Sequence, residues 1–370
     1  MDIGRQLKIA RESIGYTLQK VEEESGIGKS SLSEFENGRR EPKFSQLSRL
    51  AEVYKRAIEF FFADEPPIEN IMLWRETPSI EGEKEMIEAE FRQLCHRYRN
   101  LEVVMNEVKE NKLPELDIDR EKFSYKDANE LAEETQRRFL LGDVPCTSLK
   151  HTLEEKFYVK IFHLAFSGSG SAISTVSQEF GPAILLNSAS KLWRRNFDLA
   201  HELFHILTWK VFRSGDFEGS EPSKYEEKLA NAFASRLLLP TDVVKGKIES
   251  GMNEKGQIGL EALDEIAREF GVSTEALLWR LLYLYNKPAE EVEKYIEQVK
   301  SLRFNRPARR SDEPDKLPER YCSLAIRALG EGKLSLIQFA KYMGISYKQA
   351  EEYLMDEGGF KDEEVSISVA

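Results

Sequence analysis

Cysteine is scarce in this chain: there are 3 in 370 residues, at Cys95, Cys146 and Cys322. An odd number of widely spaced cysteines argues against both a disulfide framework and a cysteine-based zinc site. Long apolar runs are also missing, since none approaches the roughly 20 residues that span a bilayer. The first residues are acidic and polar and lead into no apolar stretch, which argues against a secretory signal. We therefore expect a cytoplasmic protein with no membrane span.

Positive charge is in deficit over the whole chain, whose formal net charge is -12. This balance argues against nonspecific nucleic-acid binding by the molecule as a whole. Residues 1 to 58 differ, because they carry eleven Lys and Arg against nine Asp and Glu, a balance of +2. Any DNA-binding face is therefore expected at the amino-terminal end.

The hydrophobic pattern predicts three regions. Residues 1 to 64 repeat apolar side chains at helical spacing and end at the charged, proline-bearing stretch 64 to 67, which is typical of a linker. Residues 75 to 285 form a second region, and residues 286 to 370 a helical third one. The polar, proline-containing stretch 303 to 314 is expected to be a surface loop or linker.

The predicted fold class is mainly α with a small antiparallel β-sheet (α+β). Apolar or β-branched runs punctuated by glycine predict the sheet just before a pair of long helices. Two later segments, each with a glycine turn between helices, resemble helix-turn-helix units. The strands are expected at 158–166, 172–176 and 182–187, and the helices at 84–112, 126–141, 192–210, 222–239, 258–285 and 318–356.

Residues 17 to 38 show helix-turn-helix spacing, with Gly26 turning the chain between two short helices. With the basic stretch that follows it, the segment resembles the phage-repressor (XRE) type of helix-turn-helix across residues 4 to 56. The resemblance implies double-stranded DNA as a partner, read by the start of the second helix. Base edges would then lie near Lys29, Ser30 and Ser33, and phosphates near Arg39, Arg40 and Lys43. The alternative is a module for dimerisation or partner docking.

The strongest chemical signal is His201-Glu202-Leu203-Phe204-His205 within a helical, mostly apolar stretch. Residues four positions apart lie on one face of a helix, so both histidines can direct a ring nitrogen at one ion. A catalytic zinc site needs three protein ligands and one open position, and Glu202 is placed to act as general base. The alternative, ordinary core histidines, leaves a buried polar pair without a partner.

The third ligand must come from another element, and the next helix offers Glu227 and Asn231 on one face. We predict Glu227 as the ligand for Zn²⁺ and Asn231 as the residue that orients a ligand through its outer atom. Glu226 is the alternative ligand. A surface salt bridge is the structural alternative for this pair.

These residues together are similar to the ImmA/IrrE family of metallopeptidases across about residues 75 to 285. The resemblance implies a regulatory zinc peptidase, which in this family commonly cleaves a helix-turn-helix repressor. Phe204 stands where the family more often has glycine, and Asp198 where threonine or serine is usual. The matching motifs are Ile184-Leu-Leu-Asn187, Arg195-Asn-Phe-Asp-Leu-Ala-His-Glu-Leu-Phe-His205 and Glu227-Lys-Leu-Ala-Asn-Ala-Phe-Ala234.

A substrate-binding strand is predicted just before the metal helix. In peptidases of this type an edge strand beside the metal holds the substrate as an added strand. The predicted strand consists of Ile184, Leu185, Leu186 and Asn187. A buried core strand is the alternative.

Three functions are compatible with the sequence. The first is a DNA-binding regulator that cleaves a repressor or antitoxin-like partner under stress or in a phage or mobile-element response. The second is a transcription factor whose zinc domain senses a signal without cutting, and intact Glu202 favours the first over it. The third is a toxin–antitoxin component. A homodimer and DNA contact by the later helix-turn-helix-like segments are left open.

Overall fold

The computed structural model describes residues 3–56, 58–62, 71–80, 82–116, 118–167, 170–213, 221–301 and 313–356. The linker predicted at 64–67 and most of the one predicted at 303–314 lie outside these ranges. None of the described helices is both long enough and apolar enough to cross a lipid bilayer.

The amino-terminal module consists of four α-helices and a short 3₁₀ helix. Thr17 caps α2 by accepting a hydrogen bond from the Lys20 amide, and Gly26 ends it in the left-handed conformation, with φ of 66°. Its own core contains Leu7, Phe35 and Phe61. The elements are α1 (Ile3–Glu12), α2 (Leu18–Ser25), α3 (Lys29–Glu36), α4 (Phe44–Val53) and the 3₁₀ helix Ile58–Phe62.

The rest of the chain surrounds a four-stranded sheet. Its strands are β1 (Leu73–Trp74), β2 (Lys160–Leu164), β3 (Ala172–Ser177) and β4 (Gly181–Asn187). The helices around it are α5 (Glu83–Val104), α6 (Tyr125–Phe139), α7 (Leu149–Glu155), α8 (Leu192–Leu207), α9 (Trp209–Phe212), α10 (Lys224–Leu238), α11 (Thr241–Gly251), α12 (Leu260–Glu269), α13 (Thr274–Tyr285), α14 (Ala289–Ser301), α15 (Glu319–Gly330), α16 (Leu336–Met343) and α17 (Tyr347–Asp356). Short 3₁₀ helices cover Arg120–Lys122 and Pro145–Thr147.

The fold class is confirmed, with one difference in the sheet. The strand order is β1-β3-β4-β2, and β3 pairs antiparallel with both β1 and β4. The pair β2–β4 is parallel, whereas we expected only antiparallel pairs. The chain leaving β2 crosses to the far side of β4 before it forms β3, so no hairpin joins β2 to its neighbour.

Two cores lie on opposite faces of the sheet. One is shared by α6, α8 and α10 and contains Leu203, Phe204 and Phe233. The other lies beneath α5 and includes side chains from α15 and α16, such as Tyr321 and Phe339. The sheet therefore separates the helix that carries the histidine motif from α15 and α16, whereas Val292 and Ile296 of α14 lie in the same core as α8.

Candidate metal centre

Helix α8 carries the histidine motif into the interior. Nearly every residue from Arg195 to Leu207 is buried, because apolar side chains surround the motif on the helix. Phe204, the departure from the usual glycine, fills the core and packs against Phe233 with ring centroids 5.6 Å apart. The departure therefore adds to the packing of α8 against α10, next to the His205 ring.

The three predicted ligands converge on one point. The Nε2 atoms of His201 and His205 are 3.2 Å apart. The Glu227 carboxylate lies 3.2 Å from Nε2 of His201 and 3.3 Å from Nε2 of His205. One ligand atom from each residue falls within 4.8 Å of the others. Two imidazoles and a carboxylate are the donor set of many catalytic zinc sites, so the side chains fit this ion.

The outer nitrogen of each ring is held by a residue of α10. Nδ1 of His201 lies 3.1 Å from the side-chain oxygen of Asn231, the residue that we predict to orient a ligand. Nδ1 of His205 lies 2.9 Å from the carboxylate of Glu226, which also binds Arg213 at 2.9 and 3.1 Å. Bonds at Nδ1 leave Nε2 directed at the ion.

Glu226 and Arg213 were missed as site residues by sequence reasoning. Glu226 was considered only as an alternative to Glu227, although one helix presents both carboxylates to His205. The signal that could have found it is a second carboxylate next to the ligand, directed to the other ring nitrogen. Nothing local in the sequence indicates Arg213.

Glu202 lies between the two histidines in the sequence of α8, and it is fully buried. Its Oε2 accepts a hydrogen bond of 2.5 Å from the hydroxyl of Ser174 on β3. Burial raises the pKa of the Glu202 carboxyl to about 7, although His205 and Ser174 lower it in part. Ser174 is a further site residue that the sequence did not reveal.

The two histidines differ in their electrostatics. Burial lowers the pKa of His201 to about 4. Burial also acts to lower the pKa of His205, but its hydrogen bonds to Glu226 and Glu227 outweigh this and raise the pKa to about 9. Burial acts to raise the pKa of Glu227, and the bonds to both histidines outweigh it and lower the pKa to about 2. The negatively charged Glu227 carboxylate thus lies against the Nε2 atoms of both histidines.

The predicted substrate strand is wrong. Ile184, Leu185, Leu186 and Asn187 belong to β4, which pairs with β3 on one side and with β2 on the other. All four are buried, and the Asn187 side chain bonds the carbonyls of Phe166 and Gly170. An interior strand has no free backbone edge for a peptide, so the alternative of a core strand applies.

The predicted DNA-contacting residues lie on one part of the amino-terminal module. Lys29 and Ser30 are exposed in the first turn of α3, and Arg39 and Lys43 are exposed after it. Ser33 is half-buried, and its hydroxyl oxygen accepts a hydrogen bond of 3.3 Å from the side-chain amide of Asn37. Arg40 is also exposed, but it binds Glu34 at 3.2 Å and lies over Phe35. DNA contact by these side chains remains a prediction.

Two family models match the chain. Residues 154–282 match the IrrE N-terminal-like domain of the M78 peptidases, and residues 7–61 match a helix-turn-helix domain. The HTH-type transcriptional regulator ImmR of Bacillus subtilis (strain 168) is 33% identical over 60 residues, which are 16% of this chain and 47% of that protein. The chain thus spans about half the length of this curated relative.

A Mycobacterium tuberculosis transcriptional regulator of known structure shares 16% identity, covers 51% of each chain and aligns with a TM-score of 0.31. The two family matches agree with the two resemblances expected from the sequence. The chain carries an amino-terminal helix-turn-helix domain followed by an IrrE N-terminal-like domain of metallopeptidase type.

Proposed function

We propose that this protein is a cytoplasmic DNA-binding regulator whose zinc peptidase site cleaves a helix-turn-helix repressor or antitoxin-like partner. The convergence of Nε2 of His201, Nε2 of His205 and the Glu227 carboxylate, with Glu202 on the same helix, is the observation that carries the proposal. We divide the chain into a DNA-binding domain (1–64), a peptidase domain (75–285) and a helical carboxy-terminal region (286–370).

In this mechanism His201, His205 and Glu227 would hold Zn²⁺. A bound zinc ion would supply Lewis acidity and make water a stronger acid. Glu202 takes the proton from the attacking water and delivers it to the leaving amine. Ser174 fixes the Glu202 carboxylate by donating to Oε2. Asn231 and Glu226 fix the two rings through their Nδ1 atoms.

DNA binding supplies the regulatory half of the proposal. The helix-turn-helix match falls on the amino-terminal module, and the similarity to an HTH-type transcriptional regulator also supports DNA binding. Lys29, Arg39 and Lys43 give its α3 face exposed positive charge. A regulator that recruits its peptidase site to an operator would meet the repressor bound there.

The experiment combines purified full-length protein, zinc and repressors encoded beside its gene, and follows cleavage on a gel. Glu202→Gln is the matched variant, because the amide keeps the shape of the carboxylate but cannot accept the proton. We expect the variant to retain zinc and to cut at least about a hundredfold more slowly. Equal rates would refute the general-base role.

A second function has one observation in its favour. Glu202, His201 and His205 are almost completely shielded from solvent, with exposures of 0, 0 and 2%. A zinc domain closed in this way suits a transcription factor that senses a signal without cutting. If neither protein cuts any repressor supplied while specific DNA binding persists, this second function replaces the first.

A further inference from the structure

Residues 71 to 76 lie along the outer edge of β3. Leu73 pairs with Ser174, and Trp74 pairs with Ile173, in antiparallel register. The Arg75 amide donates to the Ala172 carbonyl at 3.1 Å, and the Thr175 hydroxyl donates to the Ile71 carbonyl at 2.8 Å. This short segment therefore takes the backbone hydrogen-bonding groups that β3 presents at that edge.

The edge in question is the one beside the reacting groups. Ser174 of β3 donates directly to Glu202, whereas β4 lies inside the sheet. An extended peptide can bind a sheet by adding a strand to a free edge. A peptide added to β3 would bring its backbone next to Glu202, but residues 71 to 76 already occupy that position.

The side chains of the segment divide between the two faces of the sheet, because successive residues of a strand alternate. Trp74 faces α5, where its Nε1 donates to Glu88 at 2.7 Å. Arg75 faces α8, where its guanidinium donates to Asp198 and lies over the Phe197 ring at 4.9 Å. Leu73 shares the α8 face by alternation and is 1% exposed.

Asp198 anchors the segment to the metal helix. It is fully buried and lies one helical turn before His201. Glu76 adds a second link, since it binds Arg194 of the same helix at 2.7 Å. The segment is thus attached to α8 by side chains and to β3 by its backbone.

The reacting end of Glu202 is closed in this arrangement. Its Oε1 is buried and has no hydrogen-bond partner among the described residues. A general base must reach water and the scissile peptide, so the surroundings of Glu202 have to rearrange before it can act. Residues 71 to 76 pair with β3 at Ser174, the residue that bonds Glu202, so they are the segment whose departure would open the sheet edge next to Glu202.

We propose that residues 71 to 76 form a pseudosubstrate strand on β3, which an extended peptide with an apolar-x-basic sequence must replace. The apolar side chain takes the position of Leu73, and the basic one takes the position of Arg75 and pairs with Asp198. The inference rests on the proposed peptidase site and names its substrate class. It also accounts for a Glu202 carboxylate that is fully buried although the residues around it are complete.

Peptide binding to a locked form of the full-length protein tests the inference without requiring cleavage. Trp74→Cys and Ile173→Cys place two thiols opposite each other in an antiparallel pair, within reach of a disulfide. Both changes are made in the Glu202→Gln background, and the probe is a fluorescent peptide containing Leu-Trp-Arg. We expect the oxidised protein to bind it at least about tenfold more weakly than the reduced protein does.

Two matched measurements sharpen the result. A peptide with Leu-Trp-Glu should bind the reduced protein at least about tenfold more weakly, and Asp198→Asn should remove that preference. Equal binding by the oxidised and reduced forms would overturn the inference, as would the absence of binding by the folded reduced form. Circular dichroism of the reduced form establishes that it is folded.

A second variant applies if the double-cysteine protein does not fold. Trp74→Phe keeps an aromatic ring but removes the bond to Glu88, which loosens the strand. It should bind the peptide more tightly and speed hydrogen exchange at the Ser174 amide, and unchanged binding and exchange would count against the inference. The double-cysteine protein with Glu202 intact separates the two proposals. If its reduced form binds the peptide more tightly than its oxidised form but does not cut it, only the proposed peptidase function is contradicted. If the oxidised and reduced forms cut the peptide equally fast, only the pseudosubstrate strand is contradicted.

Discussion

Glu226 and Glu227 bind opposite nitrogen atoms of the same imidazole. The Glu226 carboxylate lies 2.9 Å from Nδ1 of His205, and the Glu227 carboxylate lies 3.3 Å from Nε2. Glu226 is almost completely buried, and Arg213 neutralises it, whereas the Glu227 side chain is 29% exposed. Two adjacent residues of α10 thus contact one imidazole in different ways.

The first prediction separates these two contacts by substitution with glutamine. Glu227→Gln removes an anionic ligand and should abolish stable zinc binding. Glu226→Gln keeps all three ligands but weakens the orientation of His205, so zinc affinity should fall about 10- to 100-fold. Competition with a chelator measures both, with exposed Glu249→Gln on α11 as the control. The reverse order of effects would make Glu226 the ligand.

The second prediction concerns zinc stoichiometry. The full-length protein should contain about one zinc per chain, and His201→Ala or His205→Ala should lose it, because a site with two of three ligands is too weak to retain the ion. Exposed His151→Ala serves as the control and should keep its zinc. Elemental analysis decides the matter, and stoichiometric zinc in both ligand variants would rule out the assigned site.

The third prediction concerns DNA. Binding of a specific duplex by the full chain should weaken as salt rises, because Lys and Arg contacts to phosphates displace counterions. Arg39→Ala should weaken the binding of all duplexes alike and reduce, by about 1, the slope of log binding constant against log salt concentration. Lys29→Ala should instead reduce the preference for the specific duplex about tenfold. Titrations of the duplex at several salt concentrations measure both. Absence of any preference among duplexes near the gene would favour the docking role.

The fourth prediction uses Glu154, a buried residue of α7. Burial raises the pKa of its carboxyl from 4.5 to about 7, which Glu155 and Glu319 reinforce and Lys150 opposes. Between those two values the folded chain holds a proton that the unfolded chain has lost, so the free energy of unfolding falls as pH rises through this window. The pKa difference corresponds to at most about 3 kcal/mol.

Glu154→Gln removes this pH dependence, so it should stabilise the protein at pH 8 and have little effect at pH 4. Chemical unfolding at the two pH values measures the difference. Exposed Glu155→Gln is the matched control and should change stability much less. A Glu154 variant with the same pH dependence as the parent chain would show that the carboxyl titrates normally in the folded state.

The site residues that the sequence revealed are those whose geometry is local. His201 and His205 share a helix face because of the helical period alone, and the same period places Glu227 and Asn231 together. Ser174, Arg213 and Arg75 contact the site from other elements, and no sequence spacing connects them to it. They become visible only when the chain is folded.

The error over β4 has a topological cause. The residue pattern and composition predicted a strand at 182–187, close in sequence to α8. The order of strands within a sheet, however, depends on where each connection runs. The segment after β2 crosses β4, which puts β4 in the interior and β3 beside Glu202. The shared core of α5 with α15 and α16 was unpredictable for the same reason, since the partners are far apart in sequence.

That shared core has a consequence for how the protein is made. Phe162 of β2 and Tyr98 of α5 pack against Tyr321, which a ribosome adds long after the strands are complete. The outer edge of β2 also obtains a hydrogen-bond partner late, because the His163 amide donates to the Lys316 carbonyl. A nascent chain that has emerged only as far as α14 therefore has α5 on this face of the sheet but lacks the apolar side chains that α15 and α16 add to the core. This core is therefore complete only after translation has passed Phe339.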